Sequence, residues 1–261
     1  MVLLWAGEES YRTVKAKQYL RRLDLNTGNF LYQQSNKICS YYAEVIKNRK
    51  YGVLNLVNKC FTSNEKITQL VIAGAGLDPL GIEVTSFYPN VKVFELDFKN
   101  MDTKSNLFLE LGNDLKSNIS FINANLLNVS EVIKSLTTHD WSSNENTLLI
   151  LEGISYYLSM KSLQDFIKAI NPAQVVFEFL KLKNEINEES EKIAEQVFNF
   201  ICEYCNMPEI VRYSHSQFEE LFNLQVIIRY GMNELERMRR GKNKYFPTDD
   251  SGWIEVCMLG K

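Results

Sequence analysis

QLVIAGAGLDPLG, residues 69–81, is the stretch that decides the predicted fold. Its first part, Leu70 to Ile72, is a short apolar run that is typical of a buried strand. Gly74 and Gly76 follow at once, and two glycines after a strand allow a tight turn in which the backbone approaches a ligand. A glycine turn alone is a weak indication of a ligand, because many strand-to-helix turns contain one.

A second apolar segment strengthens this interpretation. Residues 91–96, VKVFEL, predict another strand, and Asp97 follows directly. A carboxylate about 20 residues after a glycine turn is typical of a βαβ unit, and it can accept the hydroxyls of a ribose. The alternative for Asp97 is a helix cap or a solvated loop carboxylate.

Strand and helix patterns alternate through the middle of the chain. Strands are predicted near residues 69–73, 91–96, 119–123, 147–151 and 174–179, and helices over 79–88, 100–117, 129–137 and 160–170. This alternation predicts an α/β fold with a mostly parallel sheet and helices on both faces. Ligands bind such sheets at the carboxyl ends of the strands, where Asp97, Asn125 and Glu152 are all expected.

The segments on either side of this core have different patterns. Helices are predicted before it over residues 14–23, 38–46 and 53–61, and after it over residues 185–205. The last helix either covers the substrate or only packs on the core. Ser216 and Glu219 form a capping-box pattern that opens a further helix. Residues 224–230 and 253–259 predict an antiparallel pair at the sheet edge, with a solvated loop or short helix over 234–244 between them.

Composition indicates a globular protein that is soluble and cytoplasmic. The 261 residues are 45% hydrophobic and 23% charged, with a formal net charge of −3 and no long basic run. This balance argues against nucleic-acid binding, and no apolar run reaches the length of a membrane span. Five scattered cysteines and no secretory leader favour free thiols in the cytoplasm. Cys202 and Cys205 lack a second pair, so we expect no metal site.

Four short motifs together resemble the leucine carboxyl methyltransferase family: GAGLD at 74–78, FELD at 94–97, NANL at 123–126 and LEGISYYL at 151–158. The upstream segment YYAEVIKNRKYGV at 41–53 is similar to the family segment in which an arginine precedes the glycine loop. The resemblance covers residues 40–160. It implies a class I methyltransferase (Rossmann-like) fold that uses S-adenosylmethionine (SAM).

The family fold implies one domain over residues 1–261. We expect an N-terminal helical cap over residues 1–66, a cofactor-binding core over 67–180, and a helical insertion with closing strands over 181–261. The sheet should be mostly parallel with an antiparallel edge strand. Oligomeric state is not predicted.

The resemblance also implies cofactor-binding residues around the glycine turn. Gly74 and Gly76 would lie beside the amino-acid part of SAM, and Asp97 would bind its ribose. Glu95 is the weaker alternative, because strand alternation directs it away. Arg49 stands 25 positions before Gly74, the family spacing for the arginine that binds the SAM carboxylate. Its alternative is a surface charge in a Lys-Asn-Arg-Lys run.

Two departures from the family pattern accompany these residues. Asn125 and Leu126 stand where the family usually has Asp-Leu beside adenine, and an asparagine can still accept a hydrogen bond there. Asn123 is the nearby competitor for that role. Residues 78–80, Asp-Pro-Leu, replace the family's Asp-Thr-Arg-type continuation, so the contact of the missing arginine is in question; Pro79 suits the first turn of a helix.

Three further residues carry over from the family. Glu152 would accept the ammonium of SAM, with a structural hydrogen-bond acceptor as its alternative. Tyr157 stands where the family places a tyrosine that faces the substrate, and it is the candidate catalytic residue, with core packing as the alternative. Lys15 is the match for a second cation, for which Arg12 and Lys17 are rivals.

We therefore expect an O-methyltransferase that methylates a carboxylate or hydroxyl of a small molecule. A carboxylate is ionised at neutral pH, so it needs no general base, which agrees with two histidines in the chain. Spare cations could hold an anionic acceptor: Arg12, Lys17, Arg21 and Arg22. The alternatives are SAM binding without turnover, carboxyl methylation of a protein C-terminus, and a nucleotide-dependent oxidoreductase, against which the missing third glycine argues.

Overall fold

Seven strands form one sheet in the computed structural model, which describes residues 2–63, 67–112, 118–205 and 210–261. The strands are β1 Gln69–Ala73, β2 Lys92–Asp97, β3 Ile119–Asn123, β4 Thr147–Leu151, β5 Gln174–Leu180, β6 Gln225–Gly231 and β7 Ile254–Gly260. Their order is β3-β2-β1-β4-β5-β7-β6. The first five pair in parallel, and β7 runs antiparallel to both β5 and β6. The predicted sheet and its antiparallel pair at the edge are confirmed.

Helices cover both faces of this sheet. They are α1 Val2–Ala6, α2 Val14–Leu20, α3 Asn29–Ile38, α4 Tyr42–Thr62, α5 Leu80–Phe87, α6 Met101–Leu109, α7 Val129–Thr138, α8 Met160–Ile170, α9 Glu188–Cys205, α10 Phe218–Phe222 and α11 Met232–Arg240. The first four precede β1, as the predicted helical cap requires. No helix within the described ranges combines the length and apolarity needed to cross a bilayer.

The two central strands, β1 and β4, are buried along their whole length. Successive side chains of a strand point to opposite faces, so each strand contributes to two hydrophobic clusters. Leu70 and Ile72 pack on the face that carries α4, α5 and α11, whereas Val71 and Ala73 pack on the face that carries α7 and α8. Continuous apolar strands therefore reflect burial on both sides. Because β1 and β4 are parallel neighbours that end together at Ala73 and Leu151, the residues that follow them meet at one edge of the sheet.

Helix α4 corrects one expectation from the sequence. The predicted helices over 38–46 and 53–61 are replaced by α3, which ends at Ile38, and by one continuous helix over residues 42–62. The intervening polar run is helical and buried at Asn48, Arg49 and Lys50. Gly52 lies inside this helix, at a position where an added Cβ would be 3.0 Å from the Leu235 side chain of α11. Close helix packing, and not a turn, explains this glycine.

Other boundaries also differ from the predictions. Helix α6 ends at Leu109, and residues 113–117 of the predicted helix lie outside the described residues. The capping box that precedes α10 is formed by Ser214 and Gln217, not by Ser216 and Glu219. Residues 232–240 form α11, so the segment between the last strands is a helix. Helix α9 starts at residue 188 and packs against α3.

Candidate functional site

The glycine turn after β1 has the backbone conformation that its sequence predicts. Gly74 and Gly76 have φ values of +70° and +51°, which glycine adopts without strain. An added Cβ at Gly74 would lie 3.1 Å from the Ile154 side chain, whereas one at Gly76 would meet no atom within 4 Å. The backbone N–H of Ala75 donates to the carbonyl of Leu96 at 2.9 Å, so the turn is held against β2 with open space beside it.

That open space is a cavity of about 300 Å³ at the carboxyl ends of β1 and β4. The glycine turn forms one wall, and Arg49 of α4 and Glu152 after β4 supply charged groups. Residues of the N-terminal segment, among them Leu3 and Leu25, line the opposite side. Four predicted site residues thus meet at one cavity: Arg49, Gly74, Gly76 and Glu152.

Asp97 lies directly beside this cavity and fixes the turn. Its Oδ2 accepts a hydrogen bond from the backbone N–H of Gly76 at 2.8 Å, and its Oδ1 accepts from Lys99 N–H at 3.3 Å. The carboxylate is half-buried and keeps acceptor capacity for a ligand. The alternative, Glu95, is fully buried, accepts from Gly81 N–H at 3.0 Å and pairs with Lys104, so it serves α5 and α6 instead.

Arg49 and Glu152 are a buried pair with unused hydrogen-bonding capacity. The Nη1 of Arg49 donates to the Tyr156 hydroxyl at 3.3 Å, and its Nε lies 3.4 Å from Oε1 of Glu152. Neither that Nε nor that Oε1 has a hydrogen-bond partner, although both are buried. Burial alone would lower the pKa of Arg49, but the nearby carboxylates of Glu178 and Glu152 raise it. The guanidinium therefore stays charged, and its Nε faces Glu152 without making a hydrogen bond.

Lys50 is a site residue that sequence reasoning missed. Its side chain is fully buried, and its Nζ lies 2.7 Å from Oδ2 of Asp78 and 2.7 Å from Oε2 of Glu152. Burial alone would lower the pKa of Lys50, but these two carboxylates raise it. The hydroxyl of Tyr11 donates to the same Asp78 oxygen at 2.8 Å. No sequence signal separates Lys50 from a surface cation, because it follows Arg49 in a polar run.

Asp78 occupies the start of α5, where the sequence departs from the family pattern. Its Oδ1 accepts the backbone N–H of Leu80 at 2.9 Å, and Pro79 precedes the first helical residue. Burial alone would raise the pKa of Asp78, but Lys50 lowers it. Lys104 also donates to the Asp78 carbonyl oxygen. The two lysines hold this loop.

Glu178, at the end of β5, is the second residue that the sequence did not single out. Its Oε2 accepts the backbone N–H of Gly153 at 2.6 Å, and its Oε1 is buried without a partner. Burial raises the pKa of Glu178 to about 7, against the opposing charge of Arg49. Gly153 has a φ of +72°, so this bond helps to fix the backbone that carries Glu152.

The residues predicted beside adenine lie away from the cavity lining. Asn125 is exposed, and its Oδ1 accepts the backbone N–H of Leu127 at 3.0 Å. Leu126 is buried in the core on the α7 face. The competitor Asn123 serves the start of α6, because its Oδ1 accepts from Met101 N–H at 3.2 Å and its amide donates to Asp102 at 2.8 Å. The roles of Asn125 and Leu126 stay predictions.

Tyr157 and Lys15 also lie outside the cavity lining. Tyr157 is partly buried, with its ring edge-on to Tyr156 at a centroid distance of 4.7 Å. Burial raises the pKa of Tyr157, so the phenol keeps its proton at neutral pH. Lys15 is half-buried on α2. Their catalytic and cofactor-binding roles stay predictions.

The four cations predicted to hold an anionic acceptor do not line the cavity: Arg12, Lys17, Arg21 and Arg22. The Arg21 guanidinium instead forms a forked pair with Glu8, at 2.9 Å from Nε and 2.8 Å from Nη2. No group of three or more His, Cys, Asp or Glu residues that could hold a metal occurs in the described part of the chain. The side chain of Cys205 lies outside that part.

Comparison with known proteins bears on family and fold. The family model of the leucine carboxyl methyltransferases matches residues 13–171, more than half of the chain. A Thermobifida fusca YX protein, provisionally described as a methyltransferase, has a TM-score of 0.64 at 15% identity and covers 97% of this chain and 96% of its own. A DUF574 family protein from Streptomyces avermitilis MA-4680 has a TM-score of 0.67 at 13% identity, over 89% of this chain and 90% of its own. Among curated proteins, none matches in sequence. The structural likenesses show the class I methyltransferase fold.

Proposed function

This chain belongs to the leucine carboxyl methyltransferase family and is a SAM-dependent methyltransferase, and we propose that the cavity beside the glycine turn is its cofactor site. The observation that carries this proposal is that two buried polar atoms 3.4 Å apart, Nε of Arg49 and Oε1 of Glu152, make no hydrogen bond. A guanidinium donates to a carboxylate, and a carboxylate accepts from an ammonium. Together they match the amino-acid end of SAM.

The remaining walls fit the rest of this ligand. Gly76 has no side chain where the cavity is open, so the backbone can approach a bulky ligand. Asp97, which accepts from Gly76 N–H at 2.8 Å, would accept the ribose hydroxyls. The N-terminal segment, through Leu3 and Leu25 with Asp24 beside them, would cover part of the ligand.

A dinucleotide phosphate suits the same turn poorly. Phosphates bind helix N-termini through free backbone N–H groups, but here the Asp78 carboxylate already accepts from Leu80 N–H at 2.9 Å. A phosphate would also stand beside this buried carboxylate and beside Glu152. Charge repulsion and the occupied N–H therefore favour SAM over NAD.

The residues of this chain act by orientation. When bound, SAM would supply a methyl group for transfer to an oxygen of the acceptor, with S-adenosylhomocysteine as the leaving product. Arg49 and Glu152 would hold the amino-acid end, Asp97 would hold the ribose, and the N-terminal segment would cover part of the ligand. Positioning of this kind can provide much of the rate of such a reaction.

We propose an oxygen acceptor, with a small-molecule carboxylate as first choice. Neither histidine lines the cavity: His139 ends α7 and His215 contacts Arg229. Tyr157 keeps its proton because burial raises its pKa. An acceptor that is already ionised needs no base. The spare cations do not support this choice, because they lie away from the cavity lining, so it rests on the family and on the absence of a histidine from the described residues that line the cavity.

Calorimetric titration with SAM, S-adenosylhomocysteine and NAD tests the cofactor site. We expect binding of the first two and none of NAD; binding of NAD alone would refute the assignment. Methyl-labelled SAM is then offered to small carboxylic acids, phenols and a peptide with a free C-terminus. A carboxylate product releases volatile methanol after mild alkali, and its formation persists towards pH 5. An alkali-stable product formed only above neutral pH contradicts the carboxylate, and binding without transfer to any acceptor favours a protein that binds SAM without turnover.

A further inference from the structure

We propose that Lys50 is a positioning residue for cofactor binding: it holds one oxygen of Glu152 so that the other faces the cofactor's ammonium. This inference rests on the proposed cofactor site. Lys50 does not itself line the cavity, so it acts through the residues that it contacts. Nothing in the family motifs pointed to it.

The Lys50 ammonium bridges two carboxylates that belong to different parts of the fold. It is fully buried, and its Nζ is 2.7 Å from a carboxylate oxygen on each of two different elements, Asp78 before α5 and Glu152 after β4. It also lies 5.8 Å from the centre of the Tyr11 ring, and Tyr11 donates to the same Asp78 oxygen. One cation thus links helix α4, the glycine loop, the end of β4 and the N-terminal segment.

The contact with Lys50 gives the two oxygens of the Glu152 carboxylate different surroundings. Oε2 accepts from Lys50, which fixes the rotation of the carboxylate. Oε1 is left buried, without a hydrogen-bond partner and 3.4 Å from the equally unpartnered Nε of Arg49. Without Lys50, the Glu152 carboxylate could rotate and close its 3.4 Å ion pair with Arg49 into a full hydrogen bond. The ammonium of a ligand would then lose its acceptor.

This role differs from general support of the fold in what it predicts for different ligands. S-Adenosylhomocysteine carries the amino-acid end that Glu152 would hold. 5′-Methylthioadenosine carries the same nucleoside and sulfur but lacks that end. A residue that only supports the glycine loop should affect both ligands equally, whereas a residue that positions Glu152 should affect only the first.

The experiment is calorimetric titration of the parent and Lys50→Met with both ligands, with the fold checked by circular dichroism. Lys104→Met is the matched control, because Lys104 is another fully buried lysine that contacts Glu95 and the Asp78 carbonyl but not Glu152. We expect Lys50→Met to lose about tenfold or more in affinity for S-adenosylhomocysteine, since a charge-assisted contact is lost. Its affinity for 5′-methylthioadenosine should stay within about twofold. The control should not separate the two ligands.

A second variant keeps the test valid if Lys50→Met does not fold. Lys50→Met combined with Glu152→Gln removes one buried charge of each sign, and it is compared with Glu152→Gln alone. Positioning through Glu152 predicts that the double variant binds S-adenosylhomocysteine no more weakly than the single variant; an additive further loss overturns the inference. Equal weakening of both ligands in Lys50→Met overturns it too. If the parent binds neither ligand, the proposed function itself fails.

Discussion

Replacement of Arg49 by lysine keeps the positive charge beside the cavity but removes the planar guanidinium with its several N–H donors. The guanidinium donates to Tyr156 through Nη1 at 3.3 Å, while its Nε lies 3.4 Å from Oε1 of Glu152 without a hydrogen bond. A lysine has one compact ammonium, which can satisfy Tyr156 or a ligand carboxylate but cannot present two N–H groups in one plane. The buried carboxylates of Glu152 and Glu178 should keep that ammonium charged.

The expected cost is therefore the loss of one charge-assisted hydrogen bond to the ligand. Such a bond contributes about 2 kcal/mol, so the Kd for SAM should rise about thirtyfold. Calorimetric titration with SAM measures this change, and urea denaturation checks that the fold is retained.

Arg212→Lys is the matched control for this substitution. Arg212 is also a largely buried arginine with a forked pair, to Glu191 at 3.0 Å and 2.9 Å, and it does not line the cavity. It should lose stability without losing SAM affinity. If Arg49→Lys binds SAM as tightly as the parent, the guanidinium is not a ligand of the cofactor and the reasoning from its Nε is wrong.

Three further predictions concern other residues of the site. Asp97→Asn keeps an acceptor for Gly76 N–H but loses the charge that would bind the ribose, so SAM affinity in titration should fall about tenfold while the fold persists; an unchanged Kd would contradict the ribose assignment. Asn125→Asp should retain or tighten SAM binding, since the side chain is exposed and a carboxylate can still accept from Leu127 N–H; a large loss of affinity would show that Asn125 has another role. Glu178 has a pKa raised to about 7, so the folded state holds a proton that the unfolded state releases above about pH 4.5. Stability from this group is present at low pH and is lost as pH rises towards 7, by about 3 kcal/mol. Urea unfolding of the ligand-free parent at pH 5 and pH 8 should show a loss of stability that exceeds the loss in Glu178→Gln by about this amount; parallel pH dependence of the two proteins would contradict it.

The sequence predicts the sheet well because its signals are local. The strand at residues 147–151 is buried on both faces of the sheet. A strand buried in this way favours apolar side chains at successive positions, and this run is visible in the sequence. The turn at Gly74 is predicted for the same reason, because a positive φ favours glycine at that position itself. Elements whose identity depends on a local rule are therefore found from the sequence.

The polar interior could not be predicted in this way. Asn48, Arg49 and Lys50 resemble a solvated run in sequence, yet all three are buried in one helix. Burial of a charge depends on partners far along the chain: Lys50 contacts Glu152, 102 positions away. The same limit explains Arg21, which the sequence placed among the spare cations for an anionic acceptor and which pairs with Glu8. The sign of a charge is known from a single residue, but the partner of that charge is known only from the folded structure.

The pairing of these buried charges bears directly on which ligand the cavity can hold. Lys50 stands between the carboxylates of Asp78 and Glu152, and Arg49 stands beyond Glu152. Removal of one member of a buried pair leaves an uncompensated charge, which is strongly destabilising. A ligand group with a single charge would disturb this row in the same way. The amino-acid end of SAM carries a carboxylate and an ammonium together, so at the proposed site it would add a matched pair of charges beside Arg49 and Glu152 without changing the net charge of the row.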